Sequence, residues 1–264
     1  MAESSSSSNE LGFMARHHFL LRRLHSLSGI IPVGVFVIFH LFTNAQLATD
    51  TYQHEVDWLY RTVPVLLLVE ISLWIAIAFH AGLGLVYTFV GSKNNVSHYR
   101  YGGNWRYFFQ RVTGIIALVF IFLHVATMRW HWDIFGWYTP FMVDYTLPDG
   151  QRVPMATASV AVALQSIPVV IFYLVGSLSV VYHWSNGLWT AAITWGITLS
   201  VAAQRRWGVV CAAMGITLTV FTFAALYGAM TYELNEQERM AYELYLAEGP
   251  PEIDEGEYPL PLDP

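Results

Sequence analysis

Charge is scarce in this chain. Only 12% of its 264 residues are Asp, Glu, Lys or Arg, about half the share of a soluble domain, while 55% are hydrophobic and the mean hydropathy is +0.43. That excludes an ordinary water-soluble domain and points to lipid surroundings. Cysteine is nearly absent as well: Cys211 is the only one, so no iron–sulfur cluster on cysteine ligands can be built here. In an apolar span that cysteine reads as a small packing residue. No GxGxxG follows a strand pattern, which leaves no sign of a dinucleotide site. The net charge of −6 carries no signal for nucleic acid, because the chain without its C-terminal tail is mildly basic; no nucleic-acid partner is expected.

What is present is a set of long apolar blocks, at Leu27 to Leu47, Pro64 to Val90, Val112 to Trp130, Ala163 to Trp189 and Trp207 to Met230. Each is long enough to span a bilayer, since about 20 apolar residues cover the hydrocarbon layer. The expected fold is therefore all-α, an integral membrane bundle of five transmembrane helices over residues 16–230. Pro32 and Pro168 do not veto helix, because membrane spans tolerate proline where neighbours satisfy the backbone. Residues 1–15 are polar and rich in serine and read as disordered. No cleavage-site pattern follows the first span, which is read as retained.

Basic residues set the orientation, because they prefer the cytoplasmic ends of spans. Arg16, Arg22, Arg23, Lys93, Arg100, Arg106, Arg111, Arg205 and Arg206 fall on one side; Arg61, Arg129, Arg152 and Arg239 fall on the other. The N-terminus is thus expected in the cytoplasm. Residues 231–264 are then extracytoplasmic, an acidic, proline-ending tail with room for a short amphipathic helix near Arg239.

Of ten histidines, His40, His80, His124 and His183 lie within spans, one in each of the first four. An ionisable ring at membrane depth is costly and marks a candidate site. At 1.5 Å rise per residue, His40 and His124 lie roughly 10 Å, and His80 and His183 roughly 24 Å, from the outer span ends. The four form two pairs at two levels, each drawn from two spans, as ligands on facing helices should be. A lone intramembrane histidine is more simply a hydrogen-bonded structural residue, but four in two levels need a common cause. Zinc asks for three or four N or S ligands at one level. Haem iron asks for two axial ligands. Gly29, Gly34, Gly82, Gly84, Gly114 and Gly176 give helices room around a flat macrocycle, although small residues also serve ordinary membrane packing. Two stacked bis-histidine haems are the reading, a path for electrons across the membrane.

The segments FLLRRLHSLSGIIPVGVFVIFHLFTN, QRVTGIIALVFIFLHV and YHWSNGLWTAAITWGIT resemble the cytochrome b558 anchor subunit of succinate dehydrogenase and fumarate reductase, in its single-polypeptide, five-helix, dihaem form. The resemblance runs from about Arg16 to Tyr227. It implies that His80 and His183 hold the proximal haem b, nearer the cytoplasm, and that His40 and His124 hold the distal one. It also implies two partners: a flavoprotein subunit carrying FAD, and an iron–sulfur subunit. Electrons would run from succinate through these to the haems and a quinone, or backwards for fumarate reduction, in the respiratory chain and tricarboxylic acid cycle. Menaquinone is the expected quinone on the resemblance alone, and the bacterial cytoplasmic membrane the expected location. The N-terminus, the Gly91 to Gln110 loop and the Ser185 to Arg206 segment are the natural dock for the partners.

Arg22, Arg23 and Arg111 read as headgroup anchors or as partners of the anionic haem propionates. His25 is close enough to assist, as are Ser28 and Asn186. Glu70 is an intramembrane carboxylate ~15 Å outward of His80. It reads either as a proton relay for a quinone near the distal haem or as a neutral carboxyl bonded to a neighbouring helix. Two rivals remain for the whole chain: a cytochrome b anchor of a hydrogenase or formate dehydrogenase, and a haem-free transporter or proton channel using the histidines and Glu70 as a relay.

Overall fold

The computed structural model describes residue 12 and residues 16–61, 63–90, 102–130, 132, 134 and 144–248. Among the described residues, five helical stretches are long and apolar enough to cross a membrane: Arg16–Thr49, Leu66–Phe89, Asn104–Met128, Ile167–Thr194 and Val201–Thr231. The chain is an all-α integral membrane protein with five spans, as the apolar blocks require.

The first span is broken by proline. Helix α1 (His18–Ile30) ends where α2 (Pro32–Ala45) begins, and a short 3-10 turn follows at Gln46–Thr49. Pro32 has no amide proton to continue the ladder and its ring crowds the preceding turn, so the helix restarts with proline in its first turn. An amphipathic helix, α3 (Tyr52–Arg61), buries Tyr52 and Val56 and exposes Trp58. The second and third spans are α4 (Val63–Val90) and α5 (Gly102–Met128).

A small β-hairpin then pairs β1 (Asp144–Thr146) with β2 (Arg152–Pro154), Tyr145 opposite Val153. Its turn carries Pro148, Asp149 and Gly150, the last at φ 85, a left-handed position that suits glycine. Helix α6 (Ala156–Ala163) precedes the fourth span, α7 (Ile167–Thr194), and the fifth is α8 (Val201–Thr231). Helix α9 (Glu236–Glu248) is the expected helix around Arg239. A capping box starts it: the Glu238 amide donates to Asn235 Oδ1 and the Asn235 amide to Glu238 Oε2, both at 2.9 Å. The Tyr232 hydroxyl donates to Glu238 Oε1 at 2.8 Å. Burial first, and then the Glu238 carboxylate, push that phenol above its usual range.

Several boundaries differ from the sequence reading. Helix α5 starts at Gly102 rather than Val112, α8 at Val201 rather than Trp207, and α7 runs from Ile167 to Thr194 rather than from Ala163 to Trp189. Helical hydrogen bonding does not stop where the hydrocarbon does, and the aromatic and polar residues Asn104 to Gln110 continue the third span. Of the expected docking loop, residues 91–101 lie outside the described residues and 102–110 are helix. The expected disordered segment 1–15 also lies outside them, apart from residue 12, as do residues 249–264 of the tail.

By contacts the chain divides into two compact units. One comprises Met1–Val37, Ile71–Ile115 and Val181–Ile216; the other Ile38–Glu70, Ile116–Val180 and Thr217–Pro264. The first buries Val181, Trp184, Ala191, Ala192 and Cys211, the last in the packing role expected of it. The second has one apolar cluster around Leu47, Tyr52, Val160, Val169 and Leu226, and another joining the hairpin to α9 through Tyr145, Val153, Met155 and Ala241.

Candidate haem-binding sites

Within the first unit, His80 on α4 and His183 on α7 face one another with ring centroids 6.0 Å apart and planes at 87°. Each ring has one nitrogen occupied by a main-chain carbonyl: His80 Nδ1 lies 2.8 Å from His25 O, and His183 Nδ1 lies 2.9 Å from Gln110 O. A carbonyl can only accept, so both rings carry their proton on Nδ1. That leaves the Nε2 lone pair as the one able to bind a metal.

A helix carbonyl is normally screened by the residue one turn later. Here those residues are Gly29 after His25 and Gly114 after Gln110. A Cβ at Gly29 would run into the His80 ring, and one at Gly114 would stand 2.8 Å from His183 Cε1. The two glycines open the gaps through which the histidines reach their carbonyls. Gln110 also donates its amide to His183 O at 3.0 Å and accepts from Asn186 Nδ2 at 2.7 Å, fixing the turn that carries His183.

The basic residues singled out from the sequence separate into two sets. His25 stacks on His80 with centroids 4.0 Å apart and meets Tyr87 edge-on at 5.6 Å. Arg22 lies over the Tyr87 ring at 5.8 Å. Arg111 donates to Tyr87 O at 3.1 Å and also to the Tyr107 hydroxyl. His25, Arg22 and Arg111 therefore converge on Tyr87. Arg23 instead lies against the rings of Phe19 and Trp195. His25 Nδ1, the Tyr87 hydroxyl and Arg23 Nε are buried and have no hydrogen-bond partner. Ser28 donates to His25 O at 2.9 Å, backing the carbonyl that His80 uses.

Within the second unit, His40 on α2 and His124 on α5 stand 5.8 Å apart with planes at 68°. His124 Nδ1 meets the Tyr173 hydroxyl at 3.2 Å. Phe120, one turn before His124, stacks on its ring at 5.6 Å and occupies the space that a Cβ at Gly176 would take. Asn44 donates to His40 O at 2.7 Å, with its amide nitrogen 3.5 Å from the ring. Glu70 is bound at both oxygens by Arg129, from Nε at 2.9 Å and Nη2 at 3.4 Å. Neither side chain is buried within the protein, Glu70 being 31% and Arg129 44% exposed.

No family model matches the chain. A curated relative, the succinate dehydrogenase cytochrome b558 subunit of Bacillus subtilis (strain 168), is 37% identical over 190 residues, covering 71% of this chain and 85% of the relative. The chain belongs to the succinate dehydrogenase cytochrome b558 subunit family.

Both histidine pairs fit the group that a cytochrome b carries. Iron about 2 Å from each ligating nitrogen, as for other imidazole-bound metals, separates two opposed ring centroids by about 6 Å; the observed values are 6.0 and 5.8 Å. Among the described residues no group of three or more His, Cys, Asp or Glu side chains is placed to hold a metal ion. The donor sets are pairs, which suits an iron whose other four ligands come from a porphyrin. Two buried polar atoms without partners beside the His80 pair, His25 Nδ1 and the Tyr87 hydroxyl, suit an anionic group such as a propionate.

The sequence reading missed Gln110, Tyr87, Phe120 and Tyr173. Gln110 stands in the QRVTG motif, which marked it without giving its role. Tyr87, Phe120 and Tyr173 carry no signal in a chain that is 16% aromatic.

Proposed function

We propose that this chain anchors a flavoprotein subunit and an iron–sulfur subunit of succinate dehydrogenase to the bacterial cytoplasmic membrane and passes electrons between them and a quinone. The carriers are two b haems, and fumarate reduction is the reverse direction. The observation that supports this most is the repeated pair of facing imidazoles, each from two spans and each with separations that suit iron. Haem b, when bound, supplies reversible one-electron transfer.

The chain's own residues have distinct tasks. His80 and His183 hold the proximal haem, and His40 and His124 the distal one. The carbonyls of His25 and Gln110 fix the tautomer of the proximal ligands, so that their Nε2 atoms point inward. Arg22, His25, Tyr87 and Arg111 receive propionates, with Arg23 as a further cation at the same end of α1. The partners dock on the cytoplasmic surface made by the N-terminus, residues 91–110 and residues 185–206. Residues 231–264 lie on the opposite side of the membrane.

A quinone that accepts two electrons also takes up two protons. Glu70 delivers them near the distal haem, held in place by Arg129. The quinone is menaquinone, on the family resemblance.

Membranes holding this chain together with both partner subunits provide the test. Succinate should reduce the b haems there, while the chain without its partners should respond only to dithionite. Reduction by hydrogen or formate in place of succinate would point to a different dehydrogenase. A colourless purified protein would point to a transporter.

A further inference from the structure

The two units treat the second nitrogen of their ligands differently. In the first unit both Nδ1 atoms face main-chain carbonyls. In the second, His124 Nδ1 faces the hydroxyl of Tyr173 at 3.2 Å. With Nε2 given to iron, Nδ1 carries the proton and donates it to the phenol oxygen. The phenol ring is fixed edge-on to His124, at 5.6 Å and 81°, and to Phe120, at 5.5 Å and 90°, and it packs against the apolar cluster around Leu47 and Val169.

We propose that Tyr173 is a positioning residue whose hydroxyl, by accepting from His124 Nδ1, lowers the reduction potential of the haem held by His40 and His124. The inference rests on the two-haem reading above. An acceptor on the far nitrogen makes the imidazole a more basic ligand, and a more basic axial ligand favours ferric over ferrous iron. The His124 contact is made by a side chain and is open to tuning by substitution, whereas the proximal Nδ1 contacts are made by main-chain carbonyls.

The test is a redox titration of both haems in the purified full-length chain carrying Tyr173→Phe, beside the unsubstituted protein and Leu174→Ala, which loosens the same cluster without touching His124. Loss of one hydrogen bond should change the ratio of reduced to oxidised haem at fixed potential by about three- to tenfold. Tenfold corresponds to about 59 mV upward for a one-electron couple. The expected result is that rise in one haem only, the other unmoved and Leu174→Ala unchanged. Two bound haems with unshifted potentials, a shift in both, or loss of the distal haem in Tyr173→Phe would each overturn the tuning role. Fewer than two haems in the unsubstituted protein would overturn the underlying reading instead.

Discussion

A histidine that ligates through Nε2 needs its other nitrogen engaged. In the first unit the engagement depends on two residues without side chains, Gly29 and Gly114. A methyl group at either position must displace the His80 or His183 ring. Overpacking of this kind typically costs about 1–3 kcal/mol, and here the ring has nowhere to go without leaving its carbonyl. Gly29→Ala and Gly114→Ala should each remove the haem of that pair and keep the other, halving the pyridine haemochrome content. Gly82→Ala should keep both, since nothing lies within 4 Å of a Cβ there. Glu70→Gln keeps the shape of the side chain and removes its charge and its proton. It should lower quinone reduction with both haem spectra intact, and unchanged turnover would remove Glu70 from the mechanism. The four histidines within the spans are legible in the sequence because a polar ring in an apolar run has no cheap explanation. The glycines' role is not, because it depends on which carbonyl a ring from another helix reaches. Tyr173 is equally hidden, one aromatic among many until its hydroxyl is seen beside His124.

At the scale of elements, apolar length announces the five spans, and their ends are where the reading falls short. The hydrocarbon boundary fixes where a run must be greasy but not where the helix stops, so α5 and α8 begin earlier than their apolar blocks. Pro32 is tolerated, as expected, but by ending one helix and beginning the next. The hairpin of β1 and β2 is not legible in the sequence, because strands of three residues show too little alternation to register. Helix α9 depends on its start. Glu238 satisfies the Asn235 amide and the Tyr232 hydroxyl while buried to 5% exposure. Removing it leaves both without a partner and deletes half the capping box, a loss of about 1 kcal/mol for the cap. Glu238→Ala should raise amide hydrogen exchange across α9 and the adjoining hairpin, and leave the haem spectrum unchanged. Exchange confined to its original rate would show that the apolar contacts of Ala241 and Tyr245 hold the helix without the cap.

For the molecule as a whole, the pairing is the central claim: His40 with His124 in one unit, and His80 with His183 in the other. Depth arithmetic along the spans gives this pairing, and the geometry of each unit agrees with it. What arithmetic could not supply is the surroundings of each pair, the carbonyls, glycines and phenol that decide how tightly each ligand is held. The two environments differ enough that the haems should be separable by substitution. The most direct measurement is a dithionite-reduced minus oxidised spectrum with haem quantitation on the purified chain and on His40→Ala and His80→Ala. The account predicts two b haems per chain, with each variant losing a different one. A single haem indifferent to His40, or no haem at all, would contradict it.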